Sequence, residues 1–352
     1  TIIPTDLKDL AQTTLSEQNK YSILYGDVFL TRTSETANEL GMSSVALKDY
    51  PQATFNGFAK RLRPKKGVME IIDPKFIAYY LRTKDFRNQI DSISVLTTRA
   101  SLNQGMIEKL TITVPNIKTQ KKIAAILSAL DEKIAINRAI NENLERQAQA
   151  LFSSLYERSN TEVGYTDMIQ ILGGGTPKTG ENTYWNGNIA FFTPKDVGTP
   201  YTLITEKTIT EEGLSHCNSR LYPVNTVFVT ARGTVGKVCM SGVPMAMNQS
   251  CYALVGKEIH QLLVYFYTLK VVDRLRHKAS GAVFDAITTR DFESEQIMKL
   301  SDDDVTAFLR VVEPMFQEVL NNNIENLRLS TLRDSLLPKL MSGEIDVSAV
   351  QL

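Results

Sequence analysis

The chain states most of its pattern twice. Residues 24–33 read LYGDVFLTRT, and residues 221–231 read LYPVNTVFVTA, followed by Arg232. IAYYLRTKDFRNQI (77–90) is answered by LLVYFYTLKVVDRLRH (262–277), and SVLTTRASLNQGMIEKL (94–110) by AVFDAITTRDFESEQIMKL (282–300). ENLERQAQALFSSL (142–155) and ENLRLSTLRDSLL (325–337) close each copy with a helical pattern. A repeat well over 150 residues long is far beyond a solenoid period of roughly 20–50 residues. It predicts an α+β chain in which two pseudo-equivalent globular modules alternate with two long helices. Two equivalent modules on one polypeptide suit the reading of two related targets.

From Lys118 to Tyr156 there is neither Pro nor Gly, and strong helix formers dominate. Apolar residues step by four and three through Ile123, Leu127, Leu130 and Ile134, then Leu144, Ala148, Leu151 and Leu155. That is a coiled-coil-like seam. Asn137 and Asn141 fall on it, either exposed where the seam opens or paired so as to fix alignment with a partner helix. Such a helix would be roughly 55–60 Å long, more than a small domain can cover, so it needs a second helix. Residues 303–337 supply one, with Val305, Leu309, Val312, Phe316, Val319 and Asn323 at similar steps and Asn326 or Leu327 next. Pro314 interrupts it. An interior Pro removes a helical hydrogen bond, so a kink or a helix start is expected there. Antiparallel pairing within the chain is the simplest solution, with a module at each end of a helical strut.

The first module alternates short β-like runs, Val28 to Leu30 and Leu110 to Val114, with one amphipathic helix around 76–90. The second is richer in strands, with Gly and Asn at turns where positive φ is expected. The 352 residues suffice for two substantial cores, and 43% hydrophobic with 22% charged residues is ordinary for a soluble protein. No apolar run approaches the ~20 residues of a membrane span. The chain begins at Thr1, so a native start is not expected at that residue. Cys217, Cys239 and Cys251 form no C-x-x-C pair and read as reduced thiols of a cytoplasmic protein.

Lys plus Arg equals Asp plus Glu at 39 each, so net charge argues for no particular partner. Basic residues do cluster at Lys60–Lys66 and Arg274–Lys278, either as solvated faces or as binding patches. The glycine run from Gly173 to Gly180 completes no G-x-x-x-x-G-K-[ST] loop, and Gly233–Val238 also misses it. His216, His260 and His277 have no metal-binding spacing, and G-x-S-x-G and dinucleotide fingerprints are absent. No adenine-methyltransferase Asn-Pro-Pro-aromatic motif or nuclease cluster is found. The chain reads as catalytically silent, with no catalytic or metal-binding residue of its own.

What remains are donors and amphipathic residues at turns: Thr176, Lys178, Tyr184, Thr193, Lys195, Arg232, Lys237, Asn248 and Gln249. Their first-module counterparts include Arg32, Thr33, Asn56, Arg99 and Asn103. Arg and Lys suit guanine edges and phosphates, while Asn and Gln suit adenine edges. Local turn and strand-end hydrogen bonding is the competing reading for each of them.

With these pieces in view, the chain resembles the specificity subunit of type I restriction–modification systems. The resemblance rests on LGGGTPKTGENTYWNGNIAFFTPKDV (172–197), VFVTARGTVGKV (227–238), IKTQKKIAAILSALDEKI (117–134) and LRDSLLPKLMSGEIDV (332–347), in the right order and over essentially the whole chain. It implies two pseudo-repeated target-recognition domains separated by two long antiparallel coiled-coil-like helices. On that plan residues 1–116 form the first target-recognition domain and 117–158 the first spacer helix. Residues 159–301 form the second domain, and 302–352 the second spacer helix and tail.

The resemblance further implies that each domain reads half of a bipartite site in double-stranded DNA. The helices contact two adenine methyltransferase subunits, which hold S-adenosylmethionine. Restriction/translocase subunits, where present, use ATP and magnesium, and this chain carries no cofactor. One departure stands out: the first module has no G-G-T-P segment ahead of Leu24, so about thirty-five residues are expected to be missing from its front. The competing readings are a coiled-coil scaffold that binds only proteins and a truncated, inactive specificity subunit.

Overall fold

The computed structural model describes residues 9–36, 39–93, 100–198, 200–278 and 286–350. Arg99 lies outside them. The chain divides into two compact units, residues 1–135 with 327–352, and residues 136–326.

The first unit contains α1 (Leu15–Lys20), β1 (Val28–Thr31), β2 (Thr33–Ser34), β3 (Ser43–Val45), β4 (Ala59–Leu62), α2 (Pro74–Tyr80), α3 (Lys84–Ile93), β5 (Ala100–Ser101) and α4 (Gln104–Ile107). It also takes the first part of the long helix α5 (Ile117–Arg158). β1 is the centre of an antiparallel sheet ordered β3-β1-β4. Alternation sends Leu30 inward, fully buried, while Phe29 points to the other face and meets only Phe55 edge-on at 5.1 Å among the described rings.

The single helix expected around 76–90 is two helices. Asp73 caps α2 by accepting from the Phe76 amide at 2.8 Å, with Pro74 in the first turn. Thr83 restarts the helix by accepting from Phe86. The expected strand at Leu110–Val114 does not form. Its amides are taken by helix side chains instead, Thr111 by Gln89 at 2.9 Å and Thr113 by the Tyr80 hydroxyl at 3.1 Å. The core joins Phe76, Tyr79, Phe86 and Ile90 to Ile123 and Leu127 of α5. Buried Gln120 anchors the start of α5, accepting from the Asp73 amide and donating to the carbonyls of Ile71 and Pro115.

The second unit follows with β6 (Thr161–Gly164), α6 (Tyr165–Met168), β7 (Ile169–Gly173), β8 (Trp185–Phe192), β9 (Tyr201–Thr202), β10 (Lys207–Ile209), α7 (Glu211–Ser215), β11 (Val227–Thr230), β12 (Val238–Ser241), β13 (Met245–Met247) and β14 (Cys251–Gly256). Then come α8 (Gln261–Lys278), α9 (Thr289–Glu293), β15 (Gln296–Lys299) and the second long helix, α10 (Asp302–Ser342). A five-stranded sheet ordered β7-β14-β11-β12-β9 stands beside a three-stranded one, β10-β8-β13. β11 is buried on both faces. Val227 and Val229 face α8, while Phe228 packs with Phe192, Tyr222 and Met247 toward the smaller sheet. Such an uninterrupted apolar strand is the mark of a sheet covered on both sides.

α10 runs unbroken through Pro314, so no helix starts there. Pro314 sits on the exposed side, where water can serve the freed carbonyl, while Val312 and Phe316 on either side of it are buried. Within the second unit α5 and α10 pair antiparallel. Phe152 meets Phe308, Asn141 meets Asn322 and Asn323, and Asn137 meets Asn326. Leu144 is half-buried, and Phe316 and Val319 are buried. In the first unit Leu127 and Ile134 are buried, Leu130 is half-buried, and Arg333 bonds Asp131 at 2.6 Å. Leu327 is not a seam residue. It is 36% exposed, and the inward position belongs to Asn326 because that amide completes the polar pairing with Asn137.

Candidate nucleic-acid interface

In the second unit four loops meet at one rim, and backbone contacts hold them together. The loop after β7 passes so close to the one after β13 that a Cβ on Gly174 would lie 2.2 Å from the Asn248 carbonyl. Only glycine permits that approach. The Gly175 amide donates to Met247 at 3.1 Å, and the Asn248 amide to Phe192 at 3.0 Å. The amides of Ala231 and Arg232 both donate to Ser250, at 2.8 and 3.2 Å. The Thr234 hydroxyl donates to the Pro194 carbonyl at 3.2 Å. Gly174 and Gly175 thus serve as spacers that let neighbouring segments approach.

This rim gathers Thr176, Lys195, Arg232, Lys237, Asn248 and Gln249. The Thr176 hydroxyl donates to the Gln249 side-chain oxygen, and the Asn248 side-chain oxygen accepts from the Ser250 amide at 3.0 Å. Arg232 and Lys237 are exposed, with no side-chain partner among the described residues. Lys195 is exposed and 3.8 Å from Glu206. Lys178 and Tyr184 belong to a different edge. Tyr184 stacks on His216, with ring centroids 4.9 Å apart, and the Lys178 carbonyl accepts from Trp185. Lys207 also lies there, its ammonium 5.6 Å from the Trp185 ring centroid.

In the first unit Arg32 and Thr33 occupy the corresponding strand end. The exposed Arg32 exchanges backbone bonds with Phe58 and Leu102, and Thr33 pairs with Ser101. The second unit builds the same clamp: Ile287 donates to Ala231 at 2.9 Å, as Leu102 donates to Arg32 at 2.8 Å.

The two arginines of the first basic cluster, and two of the cations of the second, have structural partners. Arg63 reaches the buried Asp27 carboxylate at 2.6 Å, and Arg61 donates to the Ser22 carbonyl while lying over Phe55. Arg274 and Lys278 converge on buried Glu295. Burial pushes that carboxyl up, but hydrogen bonds from Lys278 and Arg274 outweigh it and hold it below the usual carboxylate range. Arg276, between them, turns the other way. It donates to the Val235 carbonyl at 3.4 Å and lies against Gly236, whose φ of +74° shapes the β11–β12 turn. Sequence reasoning missed Arg276 as a rim residue, because its cluster hid the split.

Cys239 and Cys251 are buried in β12 and β14. Burial pushes the Cys239 thiol up to about 12 and raises that of Cys251, so both are inert core residues. Among the described residues no helix is long and apolar enough to cross a membrane, and no group of three or more His, Cys, Asp or Glu could hold a metal ion.

A strand-end rim rich in exposed donors suits a ligand rich in acceptors, such as a nucleic acid. The chain belongs to the family described as the type I restriction modification DNA specificity domain, which matches it twice, over residues 4–146 and 159–299. It is therefore a member of a DNA sequence-recognition family. The specificity subunit of the type I restriction enzyme HindI of Haemophilus influenzae is 24% identical over 321 residues, spanning 68% of this chain and 70% of that protein. That of MjaIX from Methanocaldococcus jannaschii is 23% identical over 329 residues, spanning 86% and 75%. The crystal structure of the S subunit of a type I restriction–modification system from M. genitalium shares the fold, with a TM-score of 0.57 at 16% identity, covering 92% of this chain and 84% of that one.

Proposed function

We propose that this chain is the non-catalytic DNA-reading subunit of an adenine methyltransferase complex, with each repeated module reading one half of a bipartite duplex site. The observation that carries the proposal is the double family match, one copy over each repeat. The paired segments of α5 and α10 act as the spacer between half-sites. At 42 residues α5 has a length of roughly 63 Å, ample for half-sites one duplex turn, ~34 Å, apart. Thr176, Lys195, Arg232, Lys237, Asn248 and Gln249 contact DNA in the second half-site, and Arg32 and Thr33 in the first. Arg99 belongs with them by sequence. Lys178 and Tyr184 are peripheral to this surface. Two methyltransferase subunits supply S-adenosylmethionine, and restriction subunits with ATP and magnesium would add cleavage.

The test is co-expression with the adenine methyltransferase encoded beside this chain, followed by a genome-wide map of N6-methyladenine. A bipartite motif with a fixed gap is expected. A half-motif or its palindrome would show that one module does not read, and a stable complex without methylation would defeat the proposal.

A further inference from the structure

Asn248 and Gln249 have the side chains best suited to adenine, whose edge requires one donor and one acceptor from the same amide. At this rim each of these oxygens already takes one proton from the protein, which leaves it one lone pair. The Gln249 side-chain oxygen takes the Thr176 proton, and that of Asn248 takes the Ser250 N–H. Neither NH2 group has a partner among the described residues. The same rim carries Arg232 and Lys237 at the two ends of the β11–β12 turn. Arg276 is brought against the middle of that turn by its bond to Val235 and its contact with Gly236. The surface is therefore rich in donors, with Lys195, Arg232, Lys237 and Arg276 as cations and each amide oxygen already holding one proton from within the rim.

Phosphate oxygens only accept, and a set of amide and cationic donors matches them without regard to sequence. Resting on the DNA-reading function above, we propose that this rim is a phosphate clamp: Arg276, Arg232 and Lys237 neutralise the duplex backbone, and Asn248 and Gln249 donate to it. The residues that discriminate bases in this half-site are then other than these five. The Thr176 hydroxyl acts as a positioning group that orients the Gln249 amide.

The experiment measures duplex affinity of the full chain assembled with its methyltransferase subunits, over a range of salt, on the methylated motif and on duplexes changed one base pair at a time. Arg276→Ala is expected to weaken all duplexes by the same factor and to reduce the slope of log affinity against log salt by about 0.9. Arg276→Lys should retain the slope. Gln249→Ala should weaken all duplexes uniformly, by about threefold to tenfold, with the slope unchanged. The methylated motif should stay the same in every variant. Relaxed discrimination at one base position in either Ala variant would overturn the clamp, as would an Arg276→Ala complex with unchanged affinity and slope. A wild-type complex that binds no duplex would defeat the DNA-reading function itself, whereas normal wild-type binding with indifferent variants would defeat the clamp alone.

Discussion

Glu145, on α5 in the second unit, is a half-buried carboxyl whose neighbours include Glu142 and buried Tyr265. Burial, with a contribution from Glu142, raises its pKa to about 7, above the usual glutamate value of about 4.3. A carboxyl raised in the folded state favours folding fully below its unfolded pKa, and that contribution fades as pH climbs through the folded one. Stability attributable to Glu145 should therefore decline between about pH 4.3 and 7. Glu145→Gln should flatten that part of the profile, as urea midpoints at several pH values will show. Arg63 is a second case. It is the ion-pair partner of fully buried Asp27, and removing it strands a charge in the core. Loss of a buried pair's partner costs about 3–5 kcal/mol, reduced here to about 2–3 because Arg63 is partly solvated. Arg63→Ala should show that loss in chemical denaturation, and an unchanged midpoint would rule it out. The basic clusters teach the same lesson. A run of Lys and Arg does not reveal that Asp27 or Glu295, far off in sequence, already claims its charge.

Among elements, the long helices were the most legible. A stretch without Pro or Gly from Lys118 to Tyr156 became α5, since nothing in it interrupts the hydrogen-bond ladder. Asn137 and Asn141, ambiguous in sequence, are buried and bonded across to α10. Asn137 donates to Asn326 at 3.0 Å and to Glu325 at 2.6 Å, and Asn141 donates to Asn323 at 2.9 Å. A buried polar layer of this kind disfavours sliding, because any other register leaves amides facing apolar side chains. Asn137→Leu alone should destabilise the second unit by about 1–3 kcal/mol, since Asn326 and Glu325 lose their donor. Adding Asn326→Leu should recover part of that loss, a double-mutant comparison read from thermal or urea unfolding. The broken helix α2–α3 was not legible, because Thr83 is an ordinary helix residue until its hydroxyl caps the next turn.

For the whole molecule, the repeat predicted two modules, and each unit carries the same central strand and the same strand-end clamp. The modules differ in what covers that strand. Phe228 of β11 lies under Phe192, Tyr222 and Met247, whereas its counterpart Phe29 meets the Phe55 ring alone among the described rings, with Ser44 and Arg61 beside it across the sheet. If α5 and α10 space the half-sites, breaking α5 should uncouple them. Ala129→Pro, on its exposed side, should cost ~3 kcal/mol or more and leave methylation without a fixed gap. A retained bipartite motif in the N6-methyladenine map would count against the spacer.

The sequence by itself determined the two-module repeat, the long helices and the family, because each is written in local pattern: apolar period, absent Pro and Gly, short motifs in order. Which residues are available to a ligand was decided by tertiary structure alone. Tyr184 was stacked on His216, Arg276 was delivered to the β11–β12 turn, and the oxygens of Asn248 and Gln249 each received a proton from within the rim. Availability depends on which partner, distant along the chain, has already taken each donor, acceptor or charge, and only the packed fold sets those partnerships.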